Sequence, residues 1–458
     1  MLEGLGRIGF GLFGLAVLVG IAWLFSNNKR KVDWRLVGIG ITLQIVVAAL
    51  VLLTPWGARA FDVLSSGFVS LLGFTTEGAR FIFGDFTDPA KFGFVFAFQV
   101  LPTIIFFASF MSVLYHLGVM QKIVEGMAWV ITKLMRVSGA ETLSVCANAF
   151  IGQTEAPLVV RPYIAGMTTS ELLTLMVGGM ATIAGGVLGA YVLLLGGGDP
   201  VQQAFYAKHL ITASIMAAPA TLVIAKILMP ETQEPLTLGK VRVNVEKTTT
   251  NVIDAAAAGA GDGLKLALNV GAMLLAFIAL IALLNGLIGF VWSSHLTIPS
   301  GFDSANGAWT FQQLPSWQDA WASLTGRRVD LTLQTFLGTL LAPLAWVIGV
   351  PWQDAATVGG LIGTKVVLNE FVAYLQLGEI LRGNVDGVAL TPQGTLIATY
   401  ALCGFANFSS IAIQIGGIGG IAPERRSDLA RLGLRAVLGG SIATLMTATI
   451  AGVLSNMG

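Results

Sequence analysis

Four short polar clusters interrupt an otherwise apolar sequence: Asn148; Gln153, Thr154 and Glu155 within "FIGQTEAPLVVRPY" (150–163); Asn369 and Glu370 within "VVLNEFVAY" (366–374); and Asn407, Ser409 and Ser410 within "CGFANFSSIAIQIGGIG" (403–419). Pro157 and Pro162 interrupt any helix running through 150–163. Amide and carboxylate side chains offer donors and acceptors without a dominant positive charge, which suits a polyhydroxylated or heterocyclic solute better than an organic anion. Bond-making chemistry is not implied, because no activated nucleophile, metal cluster or phosphate loop accompanies them. Acid–base catalysis by Glu155 and Glu370 inside a membrane is the remote alternative. A plainer reading attends some of these residues. Ser409 alone serves equally well as a helix–helix hydrogen bond, and Gly178, Gly179, Gly185 and Gly186 read first as close-packing positions.

The setting explains why the clusters stand out. Of 458 residues, 55% are hydrophobic and 11% charged, against roughly 25% charged in soluble domains. A bilayer accepts that much apolar surface as solvent contact. The chain therefore reads as a polytopic, all-α membrane protein. A net charge of +1 without a dense basic run argues against a nucleic-acid partner. Cys146 and Cys403 lie in apolar surroundings, which disfavours a disulfide framework or a zinc site. His116, His209 and His295 lack metal-ligand spacing and read as interfacial or loop residues.

A crossing helix needs about 20 apolar residues. Eight segments qualify: 8–26, 36–54, 93–118, 170–195, 208–229, 264–292, 392–418 and 434–456. The first reads as a retained helix and not a signal peptide. Basic residues fix the orientation. With "NNKRKVDWR" (27–35) cytoplasmic, Lys122, Lys133, Arg136, Arg161, Lys240, Arg242, Lys247 and the run 423–435 also fall inside. Both termini then face outward, in a plasma or inner membrane.

Residues 137–166 and 353–380 carry their most polar residues at the middle, and a crossing at either place would break the charge alternation. Both read as re-entrant helical hairpins, tolerated where protein shields their backbone or water fills a cavity beside them. An ionised carboxylate at bilayer depth costs about 2.5–3.5 kcal/mol on insertion scales, so Glu155 and Glu370 are expected to face a wet cavity. Each hairpin leads into a span with a polar, glycine-containing middle. Thr168 to Thr182 is fourteen residues, as is Thr391 to Phe405. The hairpins start from opposite sides, so the two units form an inverted repeat, the architecture of a secondary transporter.

This gives five parts: peripheral spans in 1–92; the third span and an interfacial helix in 93–136; a first transport unit, 137–230; a cytoplasmic linker, sixth span and external segment in 231–330; and a second unit with its own interfacial helix, 331–458. The tryptophans of the external segment 294–330 point to an interfacial seat.

"NAFIGQTEAPLVVRPY" (148–163), "VVLNEFVAY" and "CGFANFSSIAIQIGGIG" together closely resemble the concentrative nucleoside transporter family in its bacterial eight-span form. The resemblance runs from about residue 90 to the end and weakens in the first two spans and in 294–330. It implies a symporter in which Gln153, Thr154 and Glu155 face a nucleobase, Val187 forms an apolar wall, Phe405 lines the pocket, and Glu370, Asn407 and Ser410 hold ribose hydroxyls. It also implies a sodium site made by the Asn148 and Thr182 side chains with the carbonyls of Ile151 and Ile183. Proton coupling, with Glu155 as carrier, is the alternative. Uridine, cytidine and adenosine are the implied solutes; Gly152 either leaves room beside the base for a larger purine or serves only to shape the tip. A homotrimer joined through the long sixth span is the implied assembly.

Overall fold

A computed structural model describes residues 2–239, 249–295, 297–303, 308–325 and 331–455. Lys240, Arg242 and Lys247, used above for orientation, lie outside the described residues. Among those described, seven helices are long and apolar enough to cross a membrane: Gly6–Leu24, Trp34–Leu53, Phe96–His116, Thr169–Gly196, Pro200–Leu228, Val252–Ser293 and Pro423–Leu454. The remaining span expected from the sequence, 392–418, is two half-helices, Pro392–Leu402 and Phe408–Ile421. They are called spans 1 to 8 in chain order, the split one being span 7.

Burial sorts the spans by role. The most apolar window of span 5 is 89% buried, whereas that of span 6 is 11% buried. Span 5 is thus a central post. Span 6, at 42 residues the longest helix, shows Leu268, Leu275, Leu283 and Phe290 outward, the pattern of a helix facing lipid or another chain. Its inner side docks on span 3 through small residues: a Cβ on Gly259 would lie 2.8 Å from Ser109 Cα, and one on Gly263 2.8 Å from Ile105 Cα. Ser109 Oγ donates to Ala256 O at 2.8 Å in the same seam.

Both hairpins are present. The first has a helical arm, Gly139–Asn148, a non-helical tip, and a return through the short helices Ala156–Val160 and Arg161–Ile164. The second has two arms, Trp352–Val367 and Glu370–Leu381, separated by Leu368 and Asn369. Span 4 is broken at 182–184, between Thr169–Ala181 and Gly185–Gly196, and span 7 at 403–407. Threonines cap both spans: Glu171 N donates to Thr168 Oγ1 at 3.0 Å, and Gly394 N to Thr391 Oγ1 at 3.0 Å. Fourteen residues beyond each cap the breaks meet, with Phe405 N donating to Thr182 O at 3.2 Å. The repeat read from spacing is therefore joined at equivalent positions by a backbone hydrogen bond.

Charged groups pin the hairpins at their surface ends. Lys226 bridges Glu141 (2.8 Å) and Glu231 (3.2 Å) beside the first, and Arg425 donates to the carbonyls of Ile164, Ala165 and Met167. In the second, Asp354 accepts from Thr391 N and Oγ1, and Arg382 donates to Leu194 O at 2.9 Å.

Three features go beyond or against the sequence reading. A 29-residue helix, Pro55–Phe83, fills a stretch to which no element was assigned. Arg59, Asp62, Glu77 and Arg80 hold its hydropathy below that of a span, and its amphipathic pattern suits the membrane surface. The segment after span 6 contains a β-hairpin, Thr297–Asp303 with Ala308–Gln313, and a helix, Trp317–Thr325. His209 is neither interfacial nor in a loop: it is 5% exposed within span 5, and its Nδ1 shares a 3.1 Å hydrogen bond with the Tyr400 hydroxyl. Helices Val119–Met135 and Leu333–Val347 stand where the two interfacial helices were expected.

The small-residue seam gives a stability prediction. Gly263→Leu forces span 6 away from the Ile105 backbone and should lower the melting temperature in detergent by the equivalent of about 1–3 kcal/mol. Gly261→Leu, where a Cβ meets nothing within 4 Å, should leave it nearly unchanged.

Candidate functional site

The breaks bring the polar clusters together. At the first hairpin tip, Gln153 is 8% exposed; its Nε2 donates to Ser410 Oγ at 3.1 Å and its Oε1 accepts from Gln414 Nε2 at 3.1 Å. Gln414 Nε2 also donates to Met176 O in span 4 at 3.0 Å. The tip of one unit is thus fastened to the second half-helix of the other. Thr154 packs on that half-helix, where a Cβ at Gly417 would lie 3.1 Å from Thr154 Cγ2. Glu155 is exposed, as a carboxylate meeting water requires.

Glu370 differs from expectation. It is 5% exposed and faces protein groups in place of a wet cavity. Tyr191 OH donates to its Oε1 at 2.9 Å, and Asn407 Nδ2 to its Oε2 at 3.2 Å. It is also the first residue of helix Glu370–Leu381, and Asn407 caps helix Phe408–Ile421, with Oδ1 accepting from Ser410 N at 2.9 Å. Two helix N-termini and two side-chain donors therefore replace water around the carboxylate. Asn369 is an N-cap as well, accepting from Val372 N at 2.9 Å.

Val187 is buried one turn before Tyr191, and Phe405 is half-buried at the break of span 7. Tyr191 and Gln414 are the site residues that sequence reasoning missed. Both carried a signal: each lies four residues beyond a singled-out position, Val187 or Ser410, and so on the same helix face.

The group at the first break has a different character. Asn148 Nδ2 donates to Ser144 O at 3.1 Å, while its buried Oδ1 has no hydrogen-bond partner among the described residues. Thr182 Oγ1 donates to Gly178 O at 3.0 Å, leaving its lone pairs free. Gly185 N donates to Phe150 O at 2.9 Å, which holds the tip against the break. Among the described residues, the carbonyls of Ile151 and Ile183 accept no hydrogen bond. Unpaired oxygens from side chains and broken backbone are hard ligands suited to a small cation. A cleft of about 410 Å³ lies elsewhere, lined by Lys31, Arg136, Glu141, Lys226 and Glu231 at the surface end of the first hairpin.

Two inverted units that offer broken helices and hairpin tips to one another make a membrane transporter. Comparison with known proteins narrows the class. Residues 13–86 match the family model described as the N-terminus of Na+-dependent nucleoside transporters, and residues 209–452 match the C-terminus of the same family. Residues 97–198, which hold the first hairpin and span 4, match a "Gate" model described as nucleoside recognition. The chain is 40% identical to the nucleoside permease NupC of Helicobacter pylori over 97% of both chains. It is 43% identical to an uncharacterized transporter of Haemophilus influenzae, over 98% of both. The structure of CNTnw in an inward-facing substrate-bound state superposes with a TM-score of 0.83 at 42% identity, over 99% of both chains. The chain belongs to the Na+-dependent, or concentrative, nucleoside transporter family. It is a multi-pass membrane transporter of nucleosides and not an enzyme, and sodium dependence is a trait of its family.

The fastening of the first tip is testable without a ligand. Gln414→Leu strands Gln153 Oε1 in a buried position, a loss of about 1–3 kcal/mol. Hydrogen exchange across 149–155 should quicken while exchange in span 5 stays as in the parent.

Proposed function

We propose that the protein is a sodium-driven nucleoside symporter whose solute binds between the two hairpin tips and the broken spans. The observation that carries this reading is the Glu370 carboxylate, held by Tyr191 and Asn407 at the junction of both units. A carboxylate oxygen has more than one lone pair, so it can accept from vicinal ribose hydroxyls while keeping its protein donors. Ser410 adds a hydroxyl, and Asn407 positions the carboxylate. Gln153 and Thr154 face the base, Glu155 accepts from its donor edge, and Val187 and Phe405 supply apolar walls. Gln153 and Ser410 satisfy one another at 3.1 Å, so an entering nucleoside exchanges that bond for bonds of its own. Uridine, cytidine and adenosine all present the required hydroxyls.

Sodium is the co-transported ion in this reading, held by Asn148 Oδ1, Thr182 Oγ1 and the carbonyls of Ile151 and Ile183. The unpartnered Asn148 oxygen and the two free carbonyls support it. A proton carried by Glu155, the alternative, has no counterpart in the family descriptions. Both termini outside, transport units over 137–230 and 331–458, and a trimer assembled through the exposed face of span 6 complete the proposal.

Labelled-nucleoside uptake into proteoliposomes tests it. Glu370→Gln keeps size but loses the charge-assisted acceptor, worth about 1.5–3 kcal/mol or more than tenfold in affinity. Deoxyribose analogues should bind the parent more weakly yet be less affected by the substitution; equal losses for both ligand types contradict a ribose role. Asn148→Ala should raise the sodium concentration for half-maximal uptake, with partial rescue at high sodium. Uridine accumulation that ignores sodium would reject the ion assignment and leave nucleoside transport standing.

A further inference from the structure

The inverted repeat sets two equivalent helix ends side by side and caps them differently. Gly178 lies ten residues after the cap Thr168, and Ala401 ten residues after the cap Thr391. Each belongs to the last turn before a break, where carbonyls run out of helical partners and the helix dipole is negative. In the first unit, Gly178 O accepts from Thr182 Oγ1, and a Cβ on Gly178 would lie 3.5 Å from Asn148 Nδ2. In the second, Ala401 O accepts from Lys365 Nζ at 2.8 Å. The same ammonium donates to Thr444 Oγ1 at 2.9 Å. Thr444 borders the break itself, since a Cβ on Gly404 would lie 2.8 Å from its Cγ2.

Lys365 is 1% exposed and makes no ion pair at contact distance among the described residues. A lysine buried this deeply needs compensation. One carbonyl and one hydroxyl contact it, the same kinds of oxygen that surround the first break, and the Glu370 carboxylate favours its charge through space. Glu370 follows five residues later, on the next arm of the same hairpin.

We propose that the Lys365 ammonium is a tethered cation, filling in the second unit the role that an exchangeable sodium ion fills in the first. The inference rests on the sodium reading given above for Asn148 and Thr182. It adds a consequence: each protomer has one exchangeable ion site, because the second is occupied by covalent chain. The second hairpin and span 7 then carry their cation at all times, whereas the first tip and span 4, already fastened by Gln153, Ser410 and Gln414, gain theirs only when the ion arrives. Lys365 is accordingly a positioning residue for the half of the site that holds Glu370.

Four substitutions separate this role from simple helix capping. Lys365→Asn and Lys365→Ser remove the ammonium and open space between Ala401 O and Thr444 Oγ1, where sodium can enter. Lys365→Met removes the charge but fills the space. The measurements are uridine affinity and the 22Na+ to uridine flux ratio in proteoliposomes across a sodium titration, on variants shown to be monodisperse. In the parent, uptake should depend on sodium to first order. Lys365→Asn should lose about tenfold in uridine affinity at low sodium, regain it at high sodium, and show second-order dependence with a doubled flux ratio. Lys365→Ser repeats the test should the Asn variant aggregate. Lys365→Met should lose affinity without sodium rescue, and Lys365→Arg should keep first-order dependence. Folded Asn and Ser variants with the parent's sodium order, or equal rescue of the Met variant, overturn the proposal. The Asn148 reading fails separately, through a parent that ignores sodium. The tethered-cation claim is then still decided by whether Lys365→Asn acquires a sodium requirement that Lys365→Met lacks.

Discussion

Backbone polar groups must be satisfied inside a membrane, and the two broken spans meet that demand with each other. A helix interrupted in lipid strands several N–H and C=O groups, each costly to leave unpaired. Here the break at 182–184 and the break at 403–407 abut, and Phe405 N donates to Thr182 O. The tips fold in against the same place: Gly185 N reaches Phe150 O, and Gln153 is tied to Ser410 and Gln414. Span 5, buried along most of its length, is the post beside which the breaks are assembled. Without the juxtaposition neither break could exist at that depth, and no polar group would be available to a solute.

The two units use this arrangement asymmetrically. Around the second tip the charges are internally answered, Glu370 by two helix N-termini with Tyr191 and Asn407, and Lys365 by Ala401 and Thr444. Around the first tip Asn148 Oδ1 and the carbonyls of Ile151 and Ile183 have no partner among the described residues. An arrangement whose charges are answered on one side and whose oxygens are unpaired on the other can make solute binding depend on an ion. Surface pins such as Arg425 on 164–167 and Asp354 on Thr391 hold the bases of the hairpins, so a change at the tip need not unfold the arm.

Much of this was legible in the sequence because membrane insertion penalises polar residues so strongly that each cluster needs a reason. The hairpins follow from that penalty and the inverted repeat from the fourteen-residue spacing, while the meeting of Gln153, Glu370, Asn407 and Ser410 was implied by the family resemblance of their motifs. Helix Pro55–Phe83 was not legible, because its mixed surface gives neither a span's hydropathy nor a turn signal. Tyr191 and Gln414 were passed over although helical spacing placed them beside Val187 and Ser410. The enclosure of Glu370 was beyond sequence reasoning, since it depends on where a tyrosine from span 4 meets the second hairpin. His209 was misplaced for a similar reason: its hydrogen bond to Tyr400 joins residues 191 positions apart.

The central claim is that an ion at the first break organises the tip that binds the nucleoside. Binding linkage makes that claim quantitative, because two ligands coupled through one structure must change each other's affinity by the same factor. Isothermal titration of the purified parent protein should measure uridine affinity with and without saturating sodium, and sodium affinity with and without saturating uridine. The account predicts tighter binding in both comparisons and equal factors. Uridine affinity indifferent to sodium would contradict it.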